Sequence, residues 1–119
     1  MELAAQHKLK GNEYFKEQRY AQAVRMYTEA IEVVQSVQGV ASLAEHAAGD
    51  EIVRSCLLNR AASNLKLGKP SEANTDCDKV LELDQSSVKA LFRKGQALSQ
   101  MSANAGDLKP ALLKEAKDT

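Results

Sequence analysis

Ala23–Val33 reads AVRMYTEAIEV, and at an offset of 50 Ala73–Leu83 reads ANTDCDKVLEL. Ala23 answers Ala73, Tyr27 answers Cys77, Ala30 answers Val80, and Ile31-Glu32 answers Leu81-Glu82. A second comparison sets Ser55–Gly68 (SCLLNRAASNLKLG) against Val88–Met101 (VKALFRKGQALSQM). It pairs Leu58 with Phe92, Asn59 with Arg93 and Ala61 with Gly95, at an offset of 34. The repeating unit is therefore 34 residues, and 16 extra residues, QGVASLAEHAAGDEIV at 38–53, separate the first two copies. A fixed period of this length marks a stack of supersecondary units, each burying its apolar face on the next.

Working outward, the rest of the chain is helical in composition. Ala, Leu, Glu, Lys and Gln dominate and strand formers are few. The spacing predicts helices near 2–17, 20–37, 51–67, 70–83, 87–101 and 108–117. Gly68 ends one helix and Pro70 opens the next. Pro110 opens the last. DQSS at 84–87 supplies N-cap residues before VKALFRKGQALSQM.

Gly11, in HKLKGNEYF at 7–15, is costly inside a helix unless a second backbone or ring comes close. Small residues at 11, 61 and 95 start the repeat pattern, and those at 23 and 73 follow twelve later. Paired helices are expected to cross at these small positions in each copy. Tyr14 and Tyr27 read as interhelix packing, and His7 and His46 as surface residues.

A 34-residue helix–turn–helix period with these small and aromatic positions resembles the tetratricopeptide repeat. The resemblance implies an all-α, right-handed superhelix of three repeats in one domain, 1–119. The repeats run 4–37, 54–87 and 88–119, with 38–53 as an insertion. Gly11, Tyr14, Ala23, Tyr27 and Ala30 carry the first copy. In the second, Asn64 and Cys77 stand where aromatics are expected. The third keeps Gly95, but SQMSANAGD reads as an insertion of about four residues before Pro110, and no polar closing helix follows. That ending suits a piece of a longer chain, or an end that packs on a partner. The 38–53 insertion, LLNRAASNLKLG and VKALFRKGQA are similar to stretches in immunophilin co-chaperones, the cyclophilin type more than the FK506-binding type. No isomerase residues are present, so a prolyl isomerase domain is expected only in the parent protein.

In stacked helix pairs the first helix of each pair lines the concave side. The inner positions are then Ala5, Lys8, Leu9, Asn12, Phe15 and Lys16; Ser55, Leu58, Asn59, Ala62, Leu65 and Lys66; and Lys89, Phe92, Arg93, Gln96, Ser99 and Gln100. Five of these eighteen are basic and none is acidic, although the chain has 16 basic and 16 acidic residues. A cationic groove in a neutral protein focuses anionic ligands. Lysine and arginine give carboxylates charge-assisted hydrogen bonds, and an asparagine amide adds neutral donors. Lys8, Asn12, Asn59, Lys89 and Arg93 match the dicarboxylate clamp of the repeat family. The resemblance implies docking of the acidic C-terminal Glu-Glu-Val-Asp tail of cytosolic heat-shock protein 90 or 70 family chaperones. Phe15, Ala62, Leu65, Lys66 and Phe92 take flanking contacts in the same reading.

The other classes are disfavoured by residue content. Asp76-Cys77-Asp78 has no histidine at useful spacing, so neither a catalytic nor a metal site is expected, and no cofactor. Cys56 and Cys77 read as buried reduced thiols. Charge balance and the lack of Trp argue against nucleic acid. No apolar run approaches a bilayer span, MELAAQHKLK carries no signal-peptide core, and a cytoplasmic location is expected. Two alternatives stay open: a scaffold for a non-chaperone motif, and self-association through the exposed end of repeat three.

Overall fold

The computed structural model describes residues 2–107. Among them are five helices: α1 Glu2–Lys16, α2 Tyr20–Ser36, α3 Leu43–Lys66, α4 Pro70–Leu83 and α5 Val88–Asp107. The predicted helix at 108–117, its opening Pro110 and the end of repeat three lie outside the described residues. Each helix packs on the next along the chain. α1 also touches α3, and α3 touches α5. That order makes α1, α3 and α5 one layer and α2 and α4 the other, as two stacked pairs and the first helix of a third require.

The repeated small residues are the contact points. Ala23, Ala30, Ala61 and Ala73 are fully buried, as are Cys77 and Ala97, and Tyr27 and Val80 are nearly so. A Cβ built on Gly11 would meet Tyr27 Cε1 at 2.6 Å and Cδ1 at 2.8 Å. The first crossing therefore needs glycine. Gly95 differs: a Cβ there meets nothing within 4 Å among the described residues. The close crossing expected at Gly95 is not formed among the described residues, and the predicted partner helix, 108–117, lies outside them.

The two intra-repeat turns are copies of one another. Gln18 and Gly68, at the 50-residue offset, both have positive φ, 63° and 72°. Arg19 N–H donates to Tyr14 C=O at 2.8 Å, and Lys69 N–H to Asn64 C=O at 2.8 Å. This six-to-one bond closes a helix end through a left-handed residue. The N-caps follow sequence in part. Ser87 Oγ accepts from Ala90 N–H at 3.2 Å, as DQSS predicts.

Two helix boundaries differ from expectation. α3 begins at Leu43 rather than near 51, so much of the insertion is helix. Ser42 and Glu45 form a reciprocal capping box, with Glu45 N–H donating to Ser42 Oγ at 3.2 Å and Ser42 N–H to Glu45 Oε1 at 3.0 Å. The added turns carry few large apolar side chains, so no stripe announced them. α5 runs to Asp107 rather than ending near 101, so SQMSANAGD lies largely within a helix.

One buried ion pair ties the layers together. Arg60 Nε and Nη2 donate to Asp76 Oδ2 and Oδ1 at 2.7 and 2.8 Å, and Nη1 donates to Thr28 Oγ1 at 2.9 Å. One guanidinium on α3 thus holds both α4 and α2. The Asp76 bonds, ahead of the burial that opposes them, push its pKa further up.

Candidate functional site

The inner layer brings the candidate side chains together by helical spacing. Lys8 and Asn12 lie one turn apart on α1, and so do Lys89 and Arg93 on α5. Asn59 on α3 stands between them. Its Nδ2 donates to Asn12 Oδ1 at 3.2 Å, across 47 residues of sequence. Tyr27 on α2 reaches the same oxygen, its hydroxyl donating at 2.6 Å.

Two adjoining hollows open here and share Phe15 and Lys66 as a common wall. One, of about 580 Å³, is lined by Asn12, Tyr27 and Asn59 with Lys16, Gln18 and Tyr20. The other, of about 490 Å³, is lined by Lys89, Phe92 and Arg93, by Ala62, Leu65 and Val88, and by Gln96 and Gln100. The amides thus line one hollow and the α5 cations the other. Lys8 lines neither. It sits half-buried beside the groove. Its charge, with that of Arg60, opposes the burial that pushes the Cys56 thiol up to about 11.

The charges of this surface are sorted by partner. Off the groove, Arg60 pairs with Asp76, and Lys94 with Asp78 at 2.6 Å. Lys8, Lys16, Lys66, Lys89 and Arg93 make no ion pair among the described residues. Arg93 goes further: its Nη1 is buried and has no hydrogen-bond partner among the described residues. Desolvation lowers the pKa of this guanidinium, opposed in part by Cys77 and Tyr27. A buried donor without an acceptor is rare in native structures.

Phe92 is 65% exposed and projects from α5 with a free apolar face. Phe15 is held edge-on by Tyr20, with ring centroids 5.3 Å apart. Gln100 Nε2 donates to Leu65 C=O at 3.2 Å and closes the far end of the α3–α5 hollow. Tyr27, expected to serve interhelix packing, also bonds Asn12, and its phenol in place of a phenylalanine is the signal of this in the sequence. His7, expected at the surface, is half-buried near Glu29, with Nδ1 to Oε2 at 3.6 Å.

No group of three His, Cys, Asp or Glu suited to a metal occurs among the described residues, and none of their helices is long and apolar enough to cross a membrane. The arrangement can bind and orient an anionic, partly apolar chain.

Comparison with known proteins agrees with the repeat architecture. The tetratricopeptide repeat family model matches residues 9–33. Over 97 residues, 82% of this chain, the sequence is 37% identical to mitochondrial import receptor subunit TOM70 of Homo sapiens and 38% identical to that of Rattus norvegicus. The chain spans only 14% of the length of those relatives. Among solved structures, the C-terminal tetratricopeptide-repeat domain of a Plasmodium falciparum FK506-binding protein superposes with a TM-score of 0.75 at 24% identity. The match covers 99% of this chain and 93% of that one. The fold is that of a tetratricopeptide-repeat superhelix, a protein-interaction fold.

Proposed function

We propose that this tetratricopeptide-repeat module docks the acidic C-terminal Glu-Glu-Val-Asp tail of heat-shock protein 90 or 70 family chaperones in the cytosol. Lys8, Asn12 and Asn59 take the terminal α-carboxylate. Lys89 and Arg93 take the carboxylate side chains. The observation that supports this reading is that Lys8, Lys16, Lys66, Lys89 and Arg93, all on the inner layer, make no ion pair among the described residues. A peptide with two adjacent carboxylates supplies counter-charges to such a groove. Phe15, Ala62, Leu65, Lys66 and Phe92 flank it with apolar surface and one further charge, which suits the residues upstream of the tail.

The test is calorimetry with Met-Glu-Glu-Val-Asp as the free acid and as the C-terminal amide. The free acid should bind with a Kd on the order of micromolar, about −8 kcal/mol. The amide should bind roughly tenfold or more weakly, since a hydrogen bond to a charged group is worth about 1.5–3 kcal/mol. Lys8→Ala should nearly abolish binding. Binding should weaken as salt rises, because the groove is open to solvent. Equal affinity for the two peptides would leave the internal-motif scaffold as the better reading.

The repeat sequences favour an immunophilin parent, of cyclophilin type, that tethers a prolyl isomerase to a chaperone. The similarity to TOM70 favours a second reading of the parent, as an import receptor in which the same groove takes hold of an arriving protein. The full-length open reading frame separates the two.

A further inference from the structure

We infer that Tyr27 is the positioning residue of the groove: its hydroxyl decides which end of the Asn12 and Asn59 carboxamides faces a ligand. The inference rests on the docking reading above. A carboxamide presents an oxygen that accepts at one end and an NH₂ that donates at the other, and rotation by half a turn exchanges them. Only the NH₂ end can serve a carboxylate. The oxygen end would repel it.

Asn12 is held in the useful sense. Its Oδ1 accepts from Tyr27 Oη–H at 2.6 Å and from Asn59 Nδ2 at 3.2 Å, which occupies both lone pairs. Its Nδ2 has no acceptor among the described hydrogen bonds and belongs to a residue lining the 580 Å³ hollow. Asn59 gives an N–H to Asn12, and its amide also lies within hydrogen-bonding reach of the Tyr27 oxygen, so its orientation follows from those of Asn12 and Tyr27. The phenol is itself fixed. Its ring is 1% exposed and lies against Gly11, the residue beside Asn12. Burial pushes its pKa up to about 12, so it remains a donor at neutral pH.

The second repeat has no such device. Cys77 stands where Tyr27 stands in the first, and the thiol is fully buried. One hydroxyl therefore sets the polarity of both amides.

The test is Tyr27→Phe, which keeps the ring that fills the space at Gly11. In ligand-free protein, NMR follows the side-chain NH₂ signals of Asn12 and Asn59. Faster hydrogen exchange and loss of order at both is the expected result, with the backbone spectrum retained. Calorimetry should show the free-acid peptide bound roughly tenfold more weakly, and its advantage over the amide reduced by a similar factor. A purely structural role would weaken both peptides alike. Unchanged NH₂ exchange overturns the inference. So does changed exchange with an undiminished preference for the free acid. Wild-type protein that binds both peptides equally sinks the docking reading instead, and the ligand-free spectra still decide whether Tyr27 orients the amides.

Discussion

The ring of Tyr27 occupies the space a side chain at Gly11 would need, with Cε1 only 2.6 Å from the missing Cβ. The contact fastens α2 to α1 one residue from Asn12. It joins a packing requirement to the chemistry of the groove. Glycine normally costs a helix interior about 1 kcal/mol relative to alanine. Here that cost is offset by a buried aromatic at the crossing.

Gly11→Leu should therefore destabilise the protein by roughly 1–3 kcal/mol through overpacking. Gly11→Ala should also lower stability, against the gain expected from helix propensity alone. Thermal and urea unfolding measure both. A Gly11→Ala protein more stable than the parent would mean that the ring yields freely.

Arg93→Met should lose peptide binding without losing stability. The guanidinium bears the cost of burial and has one nitrogen unpartnered among the described residues, so a methionine of similar length relieves it. The melting temperature should hold or rise while calorimetry shows no saturable binding of the free-acid peptide. A large fall in melting temperature would identify Arg93 as a structural residue.

Asp76→Ala should do the reverse. It leaves a partly buried Arg60 with only Thr28 as partner, and breaking a pair in this way costs up to about 3–5 kcal/mol. At a temperature where the variant is still folded, its peptide affinity should match the parent's, since neither residue lines the groove hollows.

Gln18→Gly should stabilise the first turn by up to about 1–2 kcal/mol, because a left-handed backbone strains a residue with a Cβ and glycine escapes it. Gly68 already occupies the matching place in the second turn. Chemical denaturation would detect the difference, and no gain would show that the Gln18 side chain compensates in the folded state.

The amino-acid sequence by itself determined the repeat: the 34-residue period, the small residues at 11, 23, 61 and 73, the stop at Gly68 and the start at Pro70. These are local preferences and spacings, and the helix pairs follow from them. The early start of α3 was written there too, in Ser42 and Glu45, but the alanine-rich turns after it bear no apolar stripe to extend the helix by. The continuation of α5 past Met101 was hidden for the same reason. Helical spacing also placed Lys8 with Asn12 and Lys89 with Arg93. What only the tertiary structure decided is how those faces meet: that Asn59 reaches Asn12 across 47 residues, that Tyr27 takes the second lone pair, and that Arg93 Nη1 is left without an acceptor among the described residues. Hydrogen bonds between helices depend on distances of a few tenths of an ångström and on donor direction, which stacking sets and periodicity along one chain does not encode.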